Sequence, residues 1–439
     1  MSEHDAMLVQ MYQSARAAET LGPAAFDRHF GHQRALLVQH AATTCPFYAD
    51  RLANLRYGEN GRIDPKSWLD VPVMSRLDLR DHFEAIKSSD PPERHGAITL
   101  GRTSGTSGMP VEILRTAMQR MMNVAILSRF YAWHDLDPRR NFVMISGDVL
   151  GTYPDGEKQP TDWMPAFLRD GPCGDTVRLK HPLEPEKQIE FLSRQTDCYL
   201  TTQPSNVLAL ATALGDMGAD APELRIGAIF TIGELVRDSH REAVRTQFGC
   251  EILDVYSGSE TGTLACQCAE GRLHVNADVV HLEILRPDGT SAEPGETGRI
   301  IVTPLTAWAS PLIRYDTGDL GRFGHSCPCG STLPVLELAV GRDRNMFRFS
   351  DGSTVLGFVG LEKFRAFFPA LQWQVAQTGP ETLEIRYVSC HPEAAHDHDR
   401  VEREVSDYFG RPLSIQFVRL DAMPHGLTGK LPEAIREFE

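Results

Sequence analysis

The sequence lacks the features that would assign it to several large classes of protein. No apolar run in its 439 residues is long enough to cross a bilayer, and residues 1–5 are polar and acidic, unlike a secretion signal. Its 44 Lys and Arg are outnumbered by 59 Asp and Glu, and no Lys/Arg stripe of the kind that binds nucleic acid is present. We therefore expect a cytoplasmic protein that binds neither membranes nor nucleic acid.

Cysteine is present, but its number and placement do not suggest disulfides. The chain is long, the count of nine is odd, and four cysteines form two Cys-x-Cys pairs, Cys266/Cys268 and Cys327/Cys329, with His274 between them. Thiolate and imidazole ligands at this density suit tetrahedral zinc. We predict a structural zinc ion held by Cys268, His274, Cys327 and Cys329. The spacing leaves Cys266 as an alternative to Cys268, and buried thiols without a metal are the competing interpretation.

The apolar pattern predicts an α/β protein with a large domain at 1–340. Helical spacing over about 5–55 precedes a strand, loop and strand at 98–117 and a long helix ending near Trp133. Apolar runs then alternate with helical patterns, which predicts a mainly parallel sheet. These predicted strands are 141–145, 198–201, 226–230 and 251–255. The following residues, 273–322, are β-rich and predict a smaller barrel or sheet attached to the first.

The remaining residues, 341–439, predict a small α+β domain joined by a short hinge. Its expected helices are 361–368 and 397–409, and its expected strands are 373–377, 382–388 and 413–420.

One loop has a composition suited to binding an anion. It consists of Thr103, Ser104, Gly105, Thr106, Ser107 and Gly108. Amides and hydroxyls in such a loop can converge on phosphate, and glycine permits close approach of the backbone. The loop lacks the Gly-Lys-Ser/Thr ending of a Walker motif. Taken alone, it is equally consistent with a flexible surface turn.

Together with four later motifs, this loop resembles the adenylate-forming superfamily, which includes the acyl-CoA ligases. In the family's order, the later motifs are Tyr256-Ser257-Gly258-Ser259-Glu260-Thr261, the stretch 314–320, Gly341-Arg342 and Gly429-Lys430. Within the superfamily, residues 45–48, 71–74 and 311–315 are similar to the phenylacetate-CoA ligase branch, with its coenzyme F390 synthetase relatives. The resemblance covers nearly the whole chain.

The resemblance implies an ATP-dependent, AMP-forming ligase that activates a carboxylic acid as an acyl-adenylate. Glu260 would bind Mg²⁺, Asp319 would accept hydrogen bonds from the ribose hydroxyls, and Lys430 would bridge the substrate carboxylate and the α-phosphate. The ATP-binding residues so implied are Thr103, Ser104, Gly105, Thr106, Ser107, Gly108, Gly233, Glu234, Tyr256, Ser257, Gly258, Ser259, Asp319 and Arg342. The small domain would act as a mobile lid carrying Lys430, and dimers are common in this branch.

The acceptor of the acyl group is left open by the sequence. Coenzyme A is the default, but relatives that use it often carry an Arg-Gly-Val-Asn-type phrase where this chain has 349–355, Phe-Ser-Asp-Gly-Ser-Thr-Val. An amine, a carrier-protein thiol, or a hydroxyl that receives AMP directly are the alternatives. A non-catalytic nucleotide-binding protein is a third interpretation, against which Glu260, Asp319 and Lys430 argue.

The identity of the acid is also open. An aromatic acid is expected if four aromatic residues, Phe130, Tyr131, Trp133 and Trp308, line the acyl pocket, although such residues more often belong to a core.

Overall fold

The computed structural model describes residues 3–58, 60–102, 111–146, 158–159, 162–180, 183–342, 346–357, 364, 366–423 and 434–438. The α-helices are α1 (Glu3–Ala18), α2 (Pro23–Thr44), α3 (Pro65–Leu69), α4 (Arg76–Asp81), α5 (Phe83–Ile86), α6 (Ala117–Trp133), α7 (Pro185–Ser193), α8 (Pro204–Met217), α9 (Asp238–Phe248) and α10 (His398–Phe409). Among these residues, no helix has the length and apolar character needed to cross a membrane.

The strands of the described residues form four sheets. The strands are β1 (Ile98–Arg102), β2 (Glu112–Thr116), β3 (Asn141–Ser146), β4 (Lys158–Gln159), β5 (Thr176–Lys180), β6 (Cys198–Thr202), β7 (Ile226–Ile232), β8 (Glu251–Gly258), β9 (Gly262–Gln267), β10 (Leu273–Val275), β11 (Val280–Leu285), β12 (Gly298–Pro304), β13 (Tyr315–Phe323), β14 (Val335–Arg342), β15 (Met346–Arg348), β16 (Thr354–Leu356), β17 (Gln372–Gly379), β18 (Thr382–Val388), β19 (Ser414–Arg419) and β20 (Ala434–Arg436). The largest sheet has the order β11-β12-β13-β14-β10-β9-β8-β7-β6-β3-β5-β4.

The predicted parallel sheet is confirmed. Strands β5, β3, β6, β7 and β8 are parallel neighbours in that order. Both faces of these strands are covered, which explains why they read as continuous apolar runs. Ile229 and Ile252 pack in the core formed with α7, α8 and α9, whereas Phe230 and Leu253 point to the opposite face and pack with α6.

The β-rich region, predicted as a smaller barrel or sheet attached to the first, is continuous with the parallel sheet. Strand β8 pairs on its other edge with β9, and every further neighbour out to β11 is antiparallel, so the region continues the main sheet. The tight connection between Gly258 and Gly262 makes this possible because it returns the chain directly alongside β8. The Tyr256–Thr261 motif therefore lies where the sheet changes from parallel to antiparallel.

The segment between α2 and α4 is tied to a part of the chain that comes more than two hundred residues later. The Tyr48 hydroxyl donates to the Pro311 carbonyl at 2.7 Å. The Met74 amide donates to the Arg314 carbonyl, and the Asp316 amide donates to the Met74 carbonyl, each at 2.8 Å. Arg314 itself is buried and has a positive φ of 53°, so these contacts hold an unusual backbone conformation at the start of β13.

The carboxyl-terminal residues contain the strands and helix expected for them. Strands β17, β18 and β19 and helix α10 match the predictions, and β20 completes a four-stranded sheet of order β19-β18-β17-β20. Its core begins at Phe347 and includes Trp373 and Val401. Half of the predicted helix at 361–368 lies outside the described residues, and residues 366–368 form a turn and a bend instead of an α-helix. Pro369 follows directly, and a proline disfavours helical backbone in the residue before it. The division into domains 1–340 and 341–439 stays a prediction.

Candidate active site

The Tyr256–Thr261 motif is placed by the end of β8 and the turn into β9. The pairing of β8 with β9 shifts register between Tyr256 and Ser257, so the regular ladder is interrupted inside the motif and resumes with Ser257 opposite Thr263. Gly258 is required here because a Cβ atom on it would lie 2.5 Å from the Thr261 hydroxyl oxygen. Gly262 has a φ of 80°, a conformation that glycine adopts readily.

Two motifs that are far apart in sequence are joined by a hydrogen bond. The Tyr256 hydroxyl donates to Asp319 Oδ2 at 2.8 Å and lies 3.4 Å from Thr317 Oγ1. The Asp319 amide in turn donates to Thr317 Oγ1 at 3.1 Å, which fixes the turn of the second motif. The structure thus brings together two residues that the resemblance assigns to ATP binding.

Glu260 is buried and has cationic and phenolic neighbours. Arg76, from the first turn of α4, donates to its carboxylate, and the Tyr315 hydroxyl lies 3.4 Å from the same oxygen. Burial, followed by the negative charge of Glu260, raises the pKa of Tyr315 above its usual range, so this phenol remains protonated. Arg115 donates to the carbonyl of Ser259, and burial lowers its pKa while Glu260 opposes that shift.

Arg76 and Arg115 are site residues that sequence reasoning missed. Arg76 follows Ser75, whose side chain caps α4 by accepting from the Asp78 amide, so local capping positions the arginine. An arginine in the first turn of a helix carries no signal for a carboxylate that lies 184 residues away in sequence.

Gly233 and Glu234 come directly after β7, next to the end of β8. Because β7 and β8 are parallel, with Ile232 opposite Val255, their carboxyl ends meet at the same edge of the sheet. The Glu234 carboxylate accepts hydrogen bonds from the Ser205 amide at 2.9 Å and from its hydroxyl at 3.1 Å. Glu234 therefore connects this edge to the amino terminus of α8.

Of three other predicted parts of the site, the structure describes only the backbone of Arg342. The loop Thr103, Ser104, Gly105, Thr106, Ser107 and Gly108 and the lysine Lys430 lie outside the described residues. The backbone of Arg342 pairs with that of Asp319 across β13 and β14, which puts the start of the proposed hinge beside the proposed ribose contact. Its side chain lies outside the described part of the chain.

A cavity of about 300 Å³ adjoins the motif. It is lined by Ser257, Gly258 and Thr261 from the motif, by residues of α6 that include Gln119 and Asn123, and by Val279 and Val280. The four aromatic residues suggested for an acyl pocket do not line it. Phe130 and Tyr131 pack in the core between α6 and the sheet, Trp133 packs near Cys268, and Trp308 contacts His40.

The side chains of Cys268, His274, Cys327 and Cys329 converge away from this cavity. Their potential ligand atoms all lie within 4.8 Å of one another. The sulfurs of Cys268 and Cys327 are 3.6 Å apart, and His274 Nε2 lies 3.4 Å from the Cys329 sulfur. A tetrahedral zinc ion with Zn–S bonds of about 2.3 Å holds two thiolates roughly 3.8 Å apart, so the donor set and its spacing fit zinc.

His274 is also oriented as a metal ligand would be. Its Nδ1 lies 2.9 Å from the Leu333 carbonyl, which leaves Nε2 facing the cysteines. Burial lowers the pKa of the imidazole, which favours its neutral, ligating form. Cys266 is not part of the group, because its sulfur contacts the side-chain nitrogen of Asn276 at 3.7 Å. Strand β9 ends at Gln267, and Cys268 begins the turn that carries it to the other ligands.

Comparisons with known proteins agree with the motifs. No protein-family model matches the chain. The phenylacetate-coenzyme A ligase of Thermus thermophilus is 23% identical over 420 residues, covering 91% of this chain and 87% of the relative. That of Pseudomonas putida is 25% identical over 333 residues, covering 72% of this chain and 71% of the relative.

Solved structures share the fold. A 2-hydroxyisobutyryl-CoA ligase, crystallised in the postadenylation state with R3-HIB-AMP, matches with a TM-score of 0.73 at 16% identity over 96% of this chain and 92% of that one. The anthranilate CoA ligase AuaEII, in complex with anthranoyl-AMP, matches with a TM-score of 0.52 at 16% identity over 76% of this chain and 64% of that one. By sequence, the chain is similar to phenylacetate-CoA ligases, and it shares its fold with solved structures of CoA ligases.

Proposed function

We propose that the protein is an ATP-dependent ligase that converts a small carboxylic acid to its acyl-adenylate and then transfers the acyl group to a thiol, by default that of coenzyme A. The observation that carries this proposal is the pairing of two remote motifs, Tyr256 with Asp319 and Glu260 with Tyr315. Attack of a carboxylate on the α-phosphate joins two anions, so the site must supply cations and hydrogen-bond donors where charge develops. Three positive groups would meet that need: the side chains of Arg115 and Lys430, and a metal ion bound at Glu260.

The residues have separate roles in this proposal. Tyr256 lies against the adenine, and Asp319 accepts hydrogen bonds from the ribose hydroxyls. Glu260 binds Mg²⁺, for which a carboxylate oxygen is the preferred type of ligand. The loop at 103–108 holds the phosphates that leave as pyrophosphate, with Arg342 beside the ribose. A Mg²⁺ ion at Glu260 would compete with Arg76 for the same carboxylate.

The test is to incubate the purified protein with ATP, MgCl₂, coenzyme A and a panel of small acids, and to analyse the products by mass spectrometry. We expect AMP together with an acyl-CoA. AMP or acyl-adenylate without a thioester would retain adenylation but assign the acceptor to an amine, a carrier protein or a hydroxyl, as residues 349–355 allow. AMP attached to a product without any acid would overturn the ligase and support nucleotidyl transfer.

Lys430→Ala is the matched variant for this assay. We expect it to reduce adenylate formation by at least about 100-fold, because it removes the cation proposed to bridge the carboxylate and the α-phosphate. ATP binding, measured by calorimetry, is expected to remain close to the parent value, because Tyr256 and Asp319 are unchanged. Equal rates of adenylation in variant and parent would contradict the role given to Lys430.

The cluster of Cys268, His274, Cys327 and Cys329 belongs to the same proposal as a structural zinc site. Four protein ligands leave no open position for substrate, so the metal would join the end of β9, β10 and the segment before β14 rather than take part in chemistry. A homodimer, implied by the resemblance, stays a prediction.

Elemental analysis of the purified protein tests the zinc site. We expect about one zinc per chain, lost in Cys327→Ser together with a fall in melting temperature, because the metal crosslinks segments 59 residues apart. Cys266→Ser is the matched control, since Cys266 is buried nearby but outside the ligand group, and it is expected to retain zinc. Zinc-free parent protein, or equal loss of zinc in both variants, would contradict the assignment.

A further inference from the structure

The cavity beside the Tyr256–Thr261 motif has one apolar and one polar wall. Val279, Val280 and Ile126 supply aliphatic surface, while Gln119 and Thr261 supply polar groups. A volume of about 300 Å³ is at the lower end of the range for ligand pockets, so the group that fills it is small. Its position against the motif makes it the place for the acyl part of the substrate, and this assignment rests on the proposed function.

Some of the polar groups that line the cavity are already paired within the protein. Asn123 Oδ1 accepts from the Thr263 hydroxyl at 2.8 Å and from the Thr263 amide at 3.3 Å. Arg120 donates to the Thr99 hydroxyl at 2.7 Å, and Arg115 donates to the Ser259 carbonyl. These contacts show that the cavity wall is built with its hydrogen bonds largely satisfied.

Gln119 and Thr261 are exceptions to this pairing. Each residue is only 7% exposed, and neither Gln119 Oε1 nor Thr261 Oγ1 has a hydrogen-bond partner among the described residues. The backbone of Gln119 is fixed because its amide donates to the hydroxyl of Thr116, the residue that caps α6. The capped start of α6 thus positions Gln119 at the cavity, while its side-chain carbonyl oxygen makes no hydrogen bond among the described residues.

A buried polar atom without a partner lowers stability, and native proteins contain few of them. Two at one cavity, next to a proposed catalytic motif, are explained if a ligand supplies the missing bonds. A carboxamide oxygen accepts a hydrogen bond, and a threonine hydroxyl can donate or accept one. The complementary ligand group is one that donates, such as a hydroxyl or an amine, and an unsubstituted hydrocarbon chain or ring cannot replace it.

We infer that the acyl pocket selects acids that carry a hydroxyl or amino substituent, with Gln119 and Thr261 as its specificity-determining residues. The bound acid would place its carboxylate towards Glu260 and its substituent against these two side chains. When the bound acid lacks a hydroxyl or amino group, Gln119 and Thr261 stay buried without hydrogen-bond partners. The pocket therefore discriminates strongly against the unsubstituted acid.

The test compares kcat/KM for pyrophosphate release between each of several small acids and its hydroxy or amino derivatives. The parent protein is expected to prefer a substituted acid over its unsubstituted partner by at least about tenfold. Gln119→Leu and Thr261→Val should each reduce that ratio by about fivefold or more, whereas Thr261→Ser, which retains the hydroxyl, should keep it. Gln119→Leu should leave the melting temperature of the free protein unchanged or raised, since an apolar group of similar shape replaces an unpaired polar one.

The outcomes separate this inference from the proposed function. Pyrophosphate release that is equal for substituted and unsubstituted acids, or a ratio unaffected by Gln119→Leu and Thr261→Val, would overturn the inference and leave the ligase intact. A melting temperature that falls by several degrees in Gln119→Leu would show that the glutamine is bonded within the protein, which also overturns it. No pyrophosphate release with any acid would overturn the proposed function itself.

Discussion

Asp254 is a buried carboxyl on β8, two residues before Tyr256. It is 6% exposed, and its Oδ1 accepts a hydrogen bond from the Thr231 hydroxyl at 3.0 Å. Burial raises its pKa to about 6, and the bond from Thr231 and the charge of Arg241 oppose that shift only in part. The charged form is therefore less favourable in the folded protein than in the unfolded chain.

We expect Asp254→Asn to stabilise the protein at pH 7.5 by roughly 2 kcal/mol, because it removes a buried charge and keeps an acceptor for Thr231. A raised pKa contributes stability that is present below the unfolded value and lost as the pH rises through about 6. The advantage of the variant should accordingly shrink as the pH falls from 7.5 to 4.5. Urea unfolding at the two pH values measures it, with the exposed Asp220→Asn as the control.

A variant less stable than the parent at pH 7.5 would mean that Arg241 compensates the Asp254 charge in full. The comparison thus distinguishes a carboxyl that is mainly desolvated from one that is mainly ion-paired.

At the scale of elements, Arg129 links three parts of the fold through a single side chain. It is fully buried on α6, and its guanidinium donates to the Ala15 carbonyl at the end of α1, to both Asp278 oxygens at 3.1 Å, and to Asn276 Oδ1 at 2.7 Å. Asn276 and Asp278 lie in the connection between β10 and β11. The position of α1 on α6 and the course of this connection therefore depend on one cation.

We expect Arg129→Met to lower the free energy of unfolding by about 3–5 kcal/mol, because it leaves the Asp278 carboxylate buried without its partner. The double variant Arg129→Met/Asp278→Asn removes the stranded charge and should recover part of that loss. Urea unfolding of both variants and the parent measures the two effects. Equal stability of the single and double variants would show that the unpaired Asp278 is not the source of the loss.

The individual elements could largely be predicted from local pattern, whereas their partners in the sheet could not. Strands β6, β7 and β8 and helix α6 follow from apolar periodicity, which is a property of neighbouring residues. That β9 to β14 continue the same sheet depends on which strand edges pair, and local sequence carries little information about that choice. The sequence therefore predicted a β-rich region attached to the parallel sheet, but not that its strands extend the edge of that same sheet.

In the candidate site, too, local motifs could be predicted from the sequence but contacts between distant segments could not. The motifs that bring Tyr256 and Asp319 together could be recognised in the sequence, but Arg76 could not, because its contact with Glu260 depends on the packing of α4 against β13. The Cys-x-Cys spacing could not decide between Cys266 and Cys268, because the choice depends on where β9 ends.

At the scale of the whole molecule, the site combines segments from most of the chain. Arg76 comes from the first fifth of the sequence, Tyr256 and Glu260 lie after the middle, and Asp319 lies beyond them. The parallel strands bring Gly233 and Tyr256 to one edge of the sheet, and the antiparallel strands bring Asp319 to the same place. The site therefore forms where the parallel part of the sheet, with Gly233 and Tyr256, meets its antiparallel part, with Asp319.

The hydrogen bonds between Met74 and the residues around Arg314 also have a consequence for folding during synthesis on the ribosome. A ribosome adds about 5–20 residues per second, so the segment around Met74 is made roughly 10–50 s before its partners. Throughout that interval, the Tyr48 and Met74 side chains, both buried in the finished protein, have no completed core to enter. The nascent chain therefore exposes apolar side chains of its amino-terminal segment, around Tyr48 and Met74, until β13 has been synthesised. During that time chaperones can bind this segment and proteases can cleave it.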